Sequence, residues 1–168
     1  YRFPHKTLSK KGRLMKIKVT QEFVDQCVER SKIYNAGQRS EQQLIRDIEC
    51  EIFEYHMIST DQWDDHESWK VDGVSPVYGN VDVKFIDKFY NIAHKKMAYL
   101  AWQSTDVETF VFCEWVDRPE RLLKAGDEVE VNVVGTLPYM DFLKNLRPSK
   151  FNAGYYVNAR QVAQTYEG

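Results

Sequence analysis

The chain has 168 residues, 43% hydrophobic and 29% charged, which matches one globular domain of the usual ~100–200 residues and excludes a disordered protein. Its apolar runs are only a few residues long, such as Phe110 to Cys113, far short of the ~18 needed to cross a membrane, and no secretory apolar segment is visible. The net charge of −2 is unevenly divided: residues 1–18 hold seven basic residues and no acid, leaving 16 basic against 25 acidic residues elsewhere, a body too acidic to bind DNA by net charge alone.

Arg2, Lys6, Lys10, Lys11, Arg13, Lys16 and Lys18 make residues 1–18 a basic extension ahead of an α/β domain over 19–168, an electrostatic handle for nucleic acid. Met15 followed by KIKVT reads as a natural start, so that residues 1–14 are expected to be foreign or processed and dispensable for chemistry. Phe23, Val24, Cys27 and Val28 predict a short helix over Gln21 to Ile33 with Thr20 as N-cap. After a turn at Asn35-Ala36-Gly37, a longer helix is expected from Ser40 to Ile58. Ser40 and Gln43 form its capping box, and Leu44, Ile45, Ile48, Ile52 and Tyr55 its apolar stripe.

Residues 59–68 are polar and acidic and read as a loop. Strands are expected at Trp69 to Val74 and at Asn80 to Ile86, the second alternating at period two. Phe89, Ile92, Ala93, Met97, Leu100 and Ala101 recur at helical spacing and predict a helix from Lys88 to Gln103, although Phe89 to Ile92 also suits a strand. Thr109 to Val116 and Glu128 to Val134 read as strands, Pro138 to Leu146 as a short helical turn, and Gly154 to Val157 as a last edge strand. The sum is a single α/β domain with a mixed sheet. Cys27, Cys50 and Cys113, odd in number and without C-x-x-C spacing, read as free thiols of a reducing, cytoplasmic compartment.

The sharpest chemical signal is Asp82-Val83-Lys84. Positions i and i+2 of a strand share a face, so a carboxylate and an ammonium project side by side. Taken alone, this is a surface ion pair worth at most ~1 kcal/mol. Asp72 stands ten residues earlier on the expected neighbouring strand. Two carboxylates brought together repel unless a cation sits between them, and hard oxygen ligands favour Mg²⁺ or Mn²⁺ over Zn²⁺. The preceding helix carries Glu49, Glu51 and Glu54.

A helical Glu, a strand Asp and then (D/E)xK on the next strand, followed by a helix, resembles the PD-(D/E)xK nuclease superfamily of restriction and phage endonucleases. The likeness spans roughly Arg30 to Val157. Glu54 is the best match for the helical acid and Glu51 the second. Asp72 in KVDGV matches the first strand aspartate, and Asp82 and Lys84 in NVDVKF match the (D/E)xK pair. No Pro precedes Asp72, and no Gly precedes the helical acid, where Glu49-Cys50-Glu51 stands instead. The resemblance implies a restriction-endonuclease-like mixed sheet flanked by helices. It implies a Mg²⁺- or Mn²⁺-dependent endodeoxyribonuclease, phage-encoded and acting in the host cytoplasm, with DNA as partner and a homodimer as one open assembly state. Asp72, Asp82, the Val83 carbonyl and Glu54 would hold the metal, and Lys84 would position the attacking water. The alternatives are a catalytically inactive nuclease-like DNA-binding or assembly protein, and an RNA endonuclease.

Other candidates have simpler readings. Asp64-Asp65-His66-Glu67 is a solvated acidic loop, with Asp65 a rival for Asp72. His56, two residues after Glu54, lies off its helical face. His94 is expected on a Lys-rich helical face, Gln103 on the helix surface, and Tyr155 and Tyr156 in edge-strand packing, with base stacking as their functional alternative.

Overall fold

The computed structural model describes residues 12–35, 41–66, 71–86, 91–94, 106–148 and 155–168. The chain enters through β1 (Arg13–Lys18) and α1 (Gln21–Asn35), where Thr20 Oγ1 accepts the Phe23 N–H at 3.2 Å and caps the first turn as expected. α2 (Glu41–Ser59) follows. Its expected cap Ser40 lies outside the described residues, as do Ala36 and Gly37, and Gln43 donates to Asp47 Oδ1 at 3.1 Å. The buried face of α2 is Ile48, Ile52, Phe53 and Met57, rotated from the expected stripe. Leu44 and Tyr55 are half-buried at its margin, Tyr55 because its ring packs on Phe23 of α1, centroids 4.9 Å apart.

The strands are β2 (Gly73–Ser75), β3 (Gly79–Phe85), β4 (Asn91–His94), β5 (Thr109–Trp115), β6 (Glu128–Pro138), β7 (Arg147–Pro148) and β8 (Tyr155–Asn158). Short helices α3 (Tyr139–Lys144) and α4 (Ala159–Val162) follow β6 and β8. Five strands form a mixed sheet in the order β1-β6-β5-β3-β2. The β3–β5 pair is parallel and the other three pairs are antiparallel. The remaining strands form a second, antiparallel sheet in the order β4-β8-β7. The α/β class with a mixed sheet therefore holds. Among the described residues no helix is long and apolar enough to cross a membrane.

Four expectations are corrected. Residues 13–18, read as part of an extension, are an integral strand: Met15, Ile17 and Val19 alternate with Lys16 and Lys18, and Leu14 pairs with Asn132 of β6. The expected strand from Trp69 is Gly73–Ser75, so Asp72 stands just ahead of it, while Trp69 and Lys70 lie outside the described residues. Asn91–His94 is a strand and not part of a helix, because the backbone of Tyr155–Asn158 supplies its hydrogen-bonding partner, with Ile92 opposite Val157. Lys88 to Tyr90 and residues 95–103, Gln103 included, lie outside the described residues. Finally, Tyr155–Asn158 is the central strand of its sheet and not an edge.

Two cores lie on the two faces of the large sheet. Val81, Val83, Val111, Cys113, Val131 and Val133 point toward α1 and α2, packing on Phe23, Ile48, Ile52 and Phe53. Phe110, Phe112, Val134 and Leu137 point the other way, onto Phe142, Val157 and Ala159. Registered neighbours share a face, so Asp82 beside Phe110 and Lys84 beside Phe112 project on the side away from the two long helices. Gly135 is needed where the C-terminal segment crosses β6, since a Cβ there would meet the Gln164 carbonyl oxygen at 2.3 Å.

Candidate active site

The site forms where β2 stops. β2 pairs only residues 73–75 with 79–81. At Asp72 the ladder changes character: its N–H donates to the Val81 carbonyl at 2.9 Å, and its Oδ2 accepts the Val83 N–H at 2.7 Å. A side-chain oxygen thus replaces the backbone acceptor that a longer β2 would have supplied. This holds the Asp72 carboxylate against β3, at the level of Asp82.

Asp82 is 6% exposed. Lys84 Nζ lies 3.4 Å from Asp82 Oδ2, with its side chain 23% exposed. Burial is the largest influence on Asp82 and, with the Asp72 carboxylate adding to it against the opposing Lys84 ammonium, pushes its pKa up to about 8. Glu54 comes from α2, which packs on the opposite face of the sheet, and meets the cluster chiefly through Asp72. Burial holds its carboxyl well above the usual range; the charge and hydrogen bonding of Asp72 come next, then Glu51 and Asp82. Glu54 Oε2 is buried with no hydrogen-bond partner.

The structure thus brings Glu54, Asp72, Asp82 and Lys84 together. It also separates the three helical acids. Glu51 accepts from Cys27 Sγ at 3.5 Å on the α1 side, and Glu49 pairs with Arg118 Nε at 2.8 Å. Val83 carries its N–H to Asp72. Asp64 joins β2 through a two-way backbone bridge to Val74, and Asp65 beside it is exposed; Glu67 lies outside the described residues. His56 is half-buried, and burial lowers its pKa. His94 lies on β4 opposite Tyr155, and Tyr156 opposite Ala93. All three cysteines are free thiols, Cys27 and Cys113 buried and Cys50 exposed.

A buried acid cluster is costly even with one ammonium beside it. Asp82 at a pKa of about 8, against ~3.9 in an unfolded chain, opposes folding at neutral pH by roughly 4 kcal/mol. Such conflicts between stability and local charge concentrate at functional sites. Among the described residues no three His, Cys, Asp or Glu side chains are arranged as a ready-made metal-ligand set. Mg²⁺ is commonly held by one or two carboxylates with waters and substrate oxygens completing its octahedron. The hard oxygens of Asp72 and Asp82, with the orphaned Glu54 Oε2 beside them, fit such an ion.

A second polar cluster escaped the sequence reading. Glu114 on β5 is fully buried, accepts from Asn132 Nδ2 at 2.8 Å and pairs with Arg160 of α4. The signal was a lone acid inside the apolar run Thr109 to Val116, which demands a buried partner.

Compared with protein-family models, curated proteins and solved structures, the chain matches none.

Proposed function

We propose that this chain is a Mg²⁺- or Mn²⁺-dependent endonuclease of the PD-(D/E)xK type, with a restriction-endonuclease-like sheet and DNA as its substrate. One observation carries the reading: Asp72, Asp82 and Glu54 converge beside the part of β3 that β2 leaves unpaired, with Lys84 next to Asp82. The order of these residues along the chain, with α2 ahead of the strands and a parallel β3–β5 pair, adds support.

In this reading Asp72, Asp82 and the Val83 carbonyl would hold the ion, with Glu54 completing the set directly or through water. The bound ion would supply Lewis-acid stabilisation of the phosphate and a more acidic water. Asp72 also fixes the backbone at Val83, so its loss would disturb two ligands at once. Lys84 carries a positive charge and cannot be a ligand. It orients the attacking water and offsets the charge that grows on the phosphate oxygens.

The test is cleavage of plasmid DNA and of RNA, with Mg²⁺, with Mn²⁺ and with EDTA, by the wild-type chain and Asp82→Ala. Metal-dependent DNA cleavage that this variant loses supports the reading. DNA binding without cleavage would mark a nuclease-like binding protein, and cleavage of RNA alone would make it an RNA endonuclease.

A further inference from the structure

Resting on the nuclease reading above, we infer that the site takes single-stranded or locally unpaired DNA in preference to continuous duplex. Depth is the first argument. The Asp82 side chain is 8% exposed and Glu54 Oε2 is buried. A scissile phosphate would therefore have to descend to the carboxylates, because an ion held by them would also have to reach its oxygens.

The described chain neighbours of the site are packed. Val71, next to Asp72, and Ile86, two residues beyond Lys84, are both buried in the core that contains Val157 of the second sheet. The reacting centre is thus flanked by the packed layer between the two sheets. Duplex DNA is stiff over ~150 bp and carries paired bases behind every phosphate. Bringing one of its phosphodiesters down to buried carboxylates costs bending or unpairing energy. An unpaired strand rotates about its backbone and can swing its bases aside.

Charge points the same way. Glu51 lies one turn before Glu54, and the exposed Asp64 and Asp65 adjoin β2. Residues 12–168, β1 included, hold 25 acids against 19 basic residues. A duplex brings one negative charge per ~1.7 Å of its axis, about twice the density along a single strand. Repulsion from an acidic body therefore weighs more heavily on the duplex.

The experiment uses one labelled oligodeoxynucleotide in three forms: free, fully paired, and paired with a central unpaired segment. Cleavage by the wild-type chain in Mg²⁺ is measured beside anisotropy binding to Asp82→Ala in EDTA at the same salt. The expected result is cleavage of the free and centrally unpaired forms roughly tenfold or more faster than the duplex, with tighter binding of the single strand by the variant. Equal cutting of duplex and unpaired forms overturns the preference while leaving the nuclease reading intact. Cutting of no form, with wild type and Asp82→Ala indistinguishable, overturns both.

Discussion

Replacing Asp82 with Asn removes a charge that burial and Asp72 both oppose, so it should stabilise the metal-free protein at high pH. The pKa of Asp82 is about 8 in the folded chain and ~3.9 when unfolded. Between these values the folded state binds a proton that the unfolded state has lost. Stability is then full below pH ~4, falls as pH rises, and levels off above pH ~8. The shift of about four units corresponds to roughly 5 kcal/mol as an upper bound. Lys84 loses a charged partner in the variant, which reduces the net gain to roughly 2–4 kcal/mol. At ~2–4 °C per kcal/mol for a chain of this size, Asp82→Asn should raise Tm at pH 8 by roughly 5–15 °C and change it little at pH 5. Thermal unfolding followed by circular dichroism in EDTA from pH 5 to 9 reads this directly. Glu54 is shifted in the same direction, so part of the pH slope should survive until Glu54→Gln is added. Mg²⁺ at a hundred times its Kd should stabilise the wild-type chain at pH 8 by about 2.7 kcal/mol and Asp82→Asn much less. A variant no more stable than wild type at pH 8, or one destabilised equally at both pH values, would refute the buried acid cluster.

Further tests address single residues. Asp72→Asn should abolish metal-dependent cleavage, while Asp65→Asn, an exposed change off the cluster, should leave it near wild type; the reverse result in parallel assays would assign the wrong aspartate. Lys84→Ala should keep or slightly raise Mn²⁺ affinity in calorimetry while slowing single-turnover cleavage roughly 10²–10³-fold, and full activity would reduce Lys84 to a structural ion pair. Glu114→Ala leaves Arg160 beside a buried gap and should cost ~3–5 kcal/mol in denaturant unfolding; a cost below ~1 kcal/mol would show that this cluster does not anchor the C-terminal segment.

What could be read from the chain depended on how local the cause was. The Thr20 cap and the alternation of Asn80-Val-Asp-Val-Lys-Phe act within a few residues, and both appear in the structure. Asn91–His94 was ambiguous because its partner strand lies more than sixty residues later at Tyr155–Asn158, and neither segment carries the other's register. β1 is encoded locally in the period-two alternation of Met15, Ile17 and Val19, but the cations between them give the segment the composition of a basic extension. Glu54 could be separated from Glu51 only by knowing which side of α2 meets α1, since Cys27 faces Glu51 there.

The position of Asp72 shows why site and fold cannot be read separately here. The sequence places it on a strand whose partner carries Asp82, and that reasoning brings the two carboxylates together. The structure brings them together by a different route. Gly73, whose Cβ would lie 3.1 Å from the Trp63 ring, begins a strand of only three residues. Because β2 ends there, Val83 is left with an N–H that requires an acceptor, and Asp72 Oδ2 provides it. A longer β2 would satisfy Val83 through its backbone and free the Asp72 side chain to leave the site. The short strand therefore creates the unmet donor, the donor fixes the carboxylate, and the fixed carboxylate adds to burial in raising the pKa values of Asp82 and Glu54.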